Sequence, residues 1–136
     1  MSTKKNRALL YRIFDLLNSK QLDAYYGLFD TAYVAHAPNL DISLEITKQI
    51  DAGLFSAFPD YHFTIDDIVA EDDKVAFRST FSGTHSGAWG DISPTGKKRN
   101  FTMFYISRIS KGKVIEDWFL TDLAQLMQEL GIKPLQ

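Results

Sequence analysis

Asp122, His36 and Arg78 are the side chains of this chain whose types best suit proton transfer. A carboxylate walled by rings loses solvation, its pKa climbs, and it becomes a usable general acid or base. Asp122 closes a strand-like segment on which alternation puts Glu116, Trp118, Leu120 and Asp122 on one face. The same residue also fits a helix N-cap, with Gln125 three places on as its capping-box partner. His36 stands two residues before Pro38. Its near-neutral pKa suits a proton relay or a carbonyl-polarising donor, and a bond to backbone ahead of the turn suits it equally. Arg78 interrupts the apolar run VAFRSTF, where a buried guanidinium needs a carboxylate, and Glu116 or Asp122 across a sheet is the natural partner. Such a pair serves structure as readily as chemistry. Tyr105 and Trp118 each bring a polar atom to an apolar wall, and Met103 shares a face with Tyr105. His85 follows Gly83-Thr84 in a glycine-rich stretch that suits either a pocket cover or a loop that fixes itself.

Composition narrows the chemistry. The 136 residues contain no Cys, which excludes disulfides, zinc ribbons, iron–sulfur clusters and thiol nucleophiles. The three His are too widely spaced for a local ligand pair, so no metal site is expected. Fifteen basic against 17 acidic residues give a net charge of −2, without the basic stripe of a nucleic-acid binder; Lys97-Lys98-Arg99 reads as a solvated strand entry. Arg12 and Asp15 interrupt the N-terminal apolar positions, so the start reads as a helix and not as a signal peptide, and no apolar run reaches the length of a membrane span. A single cytoplasmic domain over 1–136 is the expectation. Ten Phe, six Tyr and two Trp are many rings for one small domain, and rings line cavities as readily as they fill cores.

The elements that must position these residues fall in two halves. Leu9, Leu10, Ile13, Phe14 and Leu17 predict a helix over 3–18, capped by Ser2 or Thr3. A short helix over 20–29 and an extended piece over 32–37 follow. Ile46, Ile50, Leu54 and Phe58 predict a helix over 43–58 with these residues inward, ended by Pro59-Asp60. From Tyr61 the period becomes two: strands over 61–69, 75–81, 99–109 and 114–121, separated by turns at 71–73 and 110–113 and a long irregular loop or loose hairpin over 82–97. A last helix is expected over 122–130, with Gly131 as its C-cap. Helices first and a strand meander second argue an α+β fold.

Four stretches resemble a known family. YVAHAP at 33–38, FPDYHFTIDDIVAEDDKVAFR at 58–78, GTHSGAWGDISPTGK at 83–97 and GKVIEDWFLTD at 112–122 are similar, in order, to elements of the SnoaL-like polyketide and ester cyclases. The resemblance implies a cone-shaped curved antiparallel sheet wrapping a pocket, with the N-terminal helices packed on its concave face. It implies an acid/base Asp helped by His, no metal or organic cofactor, and a homodimer. On this basis Asp122 and His36 are the expected catalytic pair, and Arg78, Tyr105, Trp118, Met103 and His85 the expected substrate contacts. The substrate would be a small hydrophobic carbonyl compound, closed by an aldol-type reaction or altered by related proton transfer. The alternative is a binding module of the same fold, holding an apolar ligand or a protein partner. Asp117 stands where the family often has His, Tyr105 where it often has Asp or His, and Asp91 and Ser93 alter the Pro-Thr-Gly loop.

Overall fold

The computed structural model describes residues 2–122. Its first element, α1 (Thr3–Asn18), begins where the Ser2 hydroxyl accepts the Lys5 backbone N–H at 3.2 Å. Leu10, Ile13, Leu16 and Leu17 are buried at three- and four-residue steps. Asn18 then locks the helix end to the sheet: its amide donates to the Phe63 carbonyl and accepts the Phe63 N–H, both at 2.8 Å. Helix α2 is a single turn, Leu22–Tyr26, shorter than the 20–29 expected, because the chain turns at Gly27 and is extended from Phe29.

Extended structure here is greater than expected. The piece at 32–37 is the middle of β1 (Phe29–Ala37), which folds back onto β2 (Leu40–Ser43). Ser43 caps α3 (Leu44–Ala57) by accepting the Ile46 N–H at 3.2 Å. The meander follows as β3 (His62–Glu71), β4 (Lys74–Thr84), β5 (Lys98–Ser110) and β6 (Lys113–Thr121). Its turns carry positive φ at Asp72 (53°), Lys111 (53°) and Gly112 (74°), at the two turn sites expected. The irregular loop is shorter than expected, because β4 continues to Thr84. The helix expected over 122–130 lies outside the described residues.

The six strands form one curved, unclosed sheet in the order β2-β1-β6-β5-β4-β3. All neighbours are antiparallel except β1 and β6, which run parallel. The helices cover one face. There α1 packs on β3 and β4, and α3 on β1 and β2. Phe63, Phe81, Phe101 and Met103 form one half of the buried core with Leu17 and Phe58; Tyr33, Val75, Phe77, Ile109 and Val114 form the other with Leu10 and Ile13. Among the described residues no helix is long and apolar enough to cross a membrane.

Candidate active site

A β-bulge decides which carboxylate of β6 faces the helices. Ile109 pairs with Val114 but Arg108 pairs with Glu116, so Ile115 is an extra residue in the ladder. Beyond it Asp117, Phe119 and Thr121 line an interior cavity between sheet and helices. Trp118 and Leu120 line a groove on the opposite, outer face. The interior cavity has a volume of about 220 Å³. Its wall is mainly apolar, and its polar atoms come chiefly from Tyr25, Tyr26, Tyr33, Asp51, Tyr105, Ser107 and Asp117.

Asp117 is the buried carboxylate of this cavity, at 4% exposure. The Tyr33 hydroxyl donates to its Oδ2 at 2.5 Å, and the Ser107 hydroxyl donates to its Oδ1. Burial raises its pKa from 3.8 to about 6, against the opposing pull of the hydrogen bonds from Ser107 and Tyr33. Burial, and then the neighbouring Asp117 charge, push the Tyr33 phenol far above its ordinary value, so it remains a donor. A second carboxylate enters from α3. Asp51 is half-buried and accepts the Tyr26 hydroxyl at 2.7 Å; burial raises its pKa to about 6, again opposed by that bond.

Tyr105 and Met103 stand on the cavity wall. The Tyr105 ring lies nearly parallel to Phe77 and Phe119, its registered neighbours on β4 and β6, with centroids 5.2 and 5.3 Å away. The other expected site residues lie elsewhere. Asp122 is exposed and borders neither hollow; its Oδ1 accepts the Thr102 N–H at 2.8 Å, which ties the end of β6 to β5. His36 is on the outer face. Its Nδ1 is 2.7 Å from Asp41, its Nε2 is 2.5 Å from Glu116, and its ring stacks on Trp118. Those bonds, to Asp41 first and then Glu116, raise its pKa. Arg78 is exposed and faces Asp66 at 3.6 Å. Of its two expected partners, Asp122 accepts the Thr102 N–H and Glu116 is taken by Arg108, whose Nε and Nη2 both donate to Oε1 at 3.0 and 2.8 Å. That contact, and then His36, hold the Glu116 pKa low. His85 is fully buried beneath its own loop. Its Nδ1 accepts from the Thr95 N–H and hydroxyl at 3.2 and 3.0 Å, and its ring stacks on Phe58, away from the cavity.

Asp122 and His36 are therefore not brought together on the cavity. Glu116, Trp118 and Leu120 share the outer face as alternation groups them, but alternation does not say which group faces inward. Asp117 was visible only as a departure from the resembled pattern. Asp51 had a clearer signal. Leu44, Thr47, Ile50, Asp51, Leu54 and Phe55 form the cavity stripe of α3, so a carboxylate sits on the inward face. Of the four residues expected inward, Phe58 is buried, Leu54 and the half-exposed Ile50 line the cavity, and Ile46 is exposed at 44%. A strict four-residue step drifts about 40° per repeat and does not stay on one face. Among the described residues no group of three or more His, Asp or Glu is placed to hold a metal ion.

The described residues form an α+β fold of the nuclear transport factor-like kind, with a ring-lined cavity between sheet and helices. The chain belongs to the SnoaL-like polyketide cyclase family, which it matches over residues 8–130. It is similar to AclR of Streptomyces galilaeus, provisionally a hydroxylase, at 27% identity and a TM-score of 0.90, over 98% of this chain and 89% of that one. It is similar also to IdmH of Streptomyces antibioticus, provisionally a polyketide cyclase, at 26% identity and a TM-score of 0.81, over 93% of this chain and 98% of that one. A SnoaL-like protein of Jannaschia shares the fold at 20% identity and a TM-score of 0.80, over 97% and 95% of the two chains. None of the curated proteins matches this sequence.

Proposed function

We propose that the interior cavity is an acid/base site for a hydrophobic carbonyl compound and that Asp117 is its proton-transfer group. The observation that carries this reading is a buried carboxylate that reaches an apolar cavity and is held there by the Tyr33 and Ser107 hydroxyls. Above pH about 6 the group is ionised, and desolvation makes it a stronger base than a surface Asp. It takes a proton from the carbon alpha to a carbonyl. The C–H bond breaks, and its electron pair moves into an enolate. The enolate carbon then forms a C–C bond to a second carbonyl of the same molecule, and Asp117 returns its proton to the new alkoxide. Isomerisation or dehydration would use the same first step. Family membership and the likeness to IdmH support the cyclising version.

The test needs no natural substrate. Solvent deuterium exchange at the alpha carbon of a panel of aryl ketones and β-keto esters is followed by NMR. The protein accelerates exchange, and Asp117→Asn lowers the rate at least about 100-fold, the usual share of a general base. Asp122→Asn leaves it unchanged. Equal exchange by the parent protein and Asp117→Asn overturns the reading. Retention of an apolar ligand with no exchange at all identifies the binding-module alternative.

We propose further that a second copy of the chain covers the outer sheet face. Val69, Phe104 and Leu120 are exposed there at 63%, 55% and 59%, beside Ile106 and Trp118. Arg78 and Arg108 border this patch together with Asp66, Asp67 and Glu116. A two-fold copy can set each sign of charge opposite the other, so the face can complement itself.

A further inference from the structure

Four tyrosines line the interior cavity, and two of their hydroxyls are already committed: Tyr26 to Asp51 and Tyr33 to Asp117. The other two are Tyr25 on α2 and Tyr105 on β5. Among the described residues neither of these hydroxyls has a hydrogen-bond partner. Both residues are half-buried and line the cavity, so each O–H is available to a group that fills it. The two are electrostatic neighbours of each other, and each also senses Asp51 and Asp117.

We propose that Tyr25 and Tyr105 are the oxygen-binding pair of the cavity, donating their hydroxyls to the carbonyl oxygen next to the carbon that Asp117 deprotonates. This rests on the acid/base reading of Asp117 and adds the ligand's orientation to it. Burial, foremost, and the nearby carboxylates push both phenols above their ordinary value, so both remain donors in the pH range where Asp117 is ionised. A hydrogen bond to an enolate oxygen is stronger than one to a neutral carbonyl, so the pair favours the enolate over the ketone it came from. The donors are held before the ligand arrives. Tyr105 is fixed between the parallel rings of Phe77 and Phe119. Tyr25 packs edge-on against Tyr26 and Phe29, with centroids 4.8 and 5.2 Å away. The ligand class that fits is a mostly apolar compound whose enolisable carbonyl presents its oxygen to this pair.

The probe is acetophenone, ¹³C-labelled at the carbonyl and read by difference infrared spectroscopy on the whole protein. Its bound C=O band falls below its position in an apolar solvent. Tyr25→Phe and Tyr105→Phe each move the band part of the way back, and the double variant moves it furthest. Each lost hydroxyl weakens binding about 3- to 10-fold, the range for one neutral hydrogen bond. Phe keeps the ring packing, and either single variant alone suffices if the other does not fold. Asp117→Asn retains the shifted band, because it removes the base and leaves both donors. A band that does not move in any Tyr→Phe variant overturns the proposal, as does failure of acetophenone to bind up to its solubility limit. A shifted band that responds to both Tyr variants, with deuterium exchange unaffected in Asp117→Asn, leaves the oxygen-binding pair standing and removes Asp117 as the base.

Discussion

Asp117→Asn should change the way stability depends on pH, with no ligand involved. The carboxyl sits at about 6 in the folded protein against 3.8 unfolded, with burial as the first cause. A carboxyl raised in this way binds its proton more tightly folded than unfolded. Its contribution to stability is fully present below about pH 3.8 and is lost as pH rises through about 6. The rise corresponds to about 3 kcal/mol between the two limits. Part of this is already lost at pH 4, so the parent protein loses about 2 kcal/mol between pH 4 and pH 7 that the Asn variant does not lose. Asn introduces a separate effect. Tyr33 and Ser107 each donate to an oxygen of Asp117, and an amide offers only one oxygen, so one hydroxyl must turn and accept. That cost is independent of pH; it offsets the stability curve without bending it. Asp51, also raised to about 6, contributes to both proteins and cancels in the difference. Urea unfolding at pH 4, 5, 6 and 7 gives both curves by linear extrapolation. A parent-minus-variant difference that stays flat across this range refutes the desolvated carboxylate, and with it the physical basis for calling Asp117 a base.

Two further outcomes test the outer face. His36 titrates above 6.5 by NMR, and its pKa falls in Asp41→Asn and in Glu116→Gln, since bonds to these two carboxylates raise it; an unmoved pKa means the contacts do not persist in solution. Leu120→Lys places a charge on the apolar patch and should convert a dimer to monomer on a sizing column at micromolar concentration, while a parent protein that is monomeric there removes the proposed second copy.

Local rules made the element order readable. Alternating Phe63 and Ile65, the turn residues at 71–73 and 110–113, and the Leu10–Leu17 stripe each specify their own element through propensity and burial. Long-range pairing was less accessible. Nothing near residues 29–43 says that β1 will lie parallel to β6, some eighty residues on, or that Asn18 will satisfy both backbone groups of Phe63. The parallel pairing matters for chemistry. It brings β1 beside β6, so that the Tyr33 hydroxyl reaches Asp117 across 84 residues of chain.

Asp122 and His36 lie off the interior cavity, and period-two reasoning alone does not foresee it. Alternation divides a strand into two faces, and burial must then say which is inner. On β6 the two cues conflict. Trp118 and Leu120 are the larger apolar side chains, and they suggest that their face is the core. They lie instead on the exposed outer face, and Asp117 lies within. A hydrophobic face on the outside of a sheet is informative because single-chain folding does not require it; it suits a surface that another chain covers. A carboxylate on the inside is informative for the converse reason. Burying it costs stability at neutral pH, a cost that the fold does not need and that a buried base does. The two exceptions to ordinary burial on one nine-residue strand, Trp118 and Leu120 outward and Asp117 inward, are thus the two features on which the proposed association face and the proposed proton-transfer site rest.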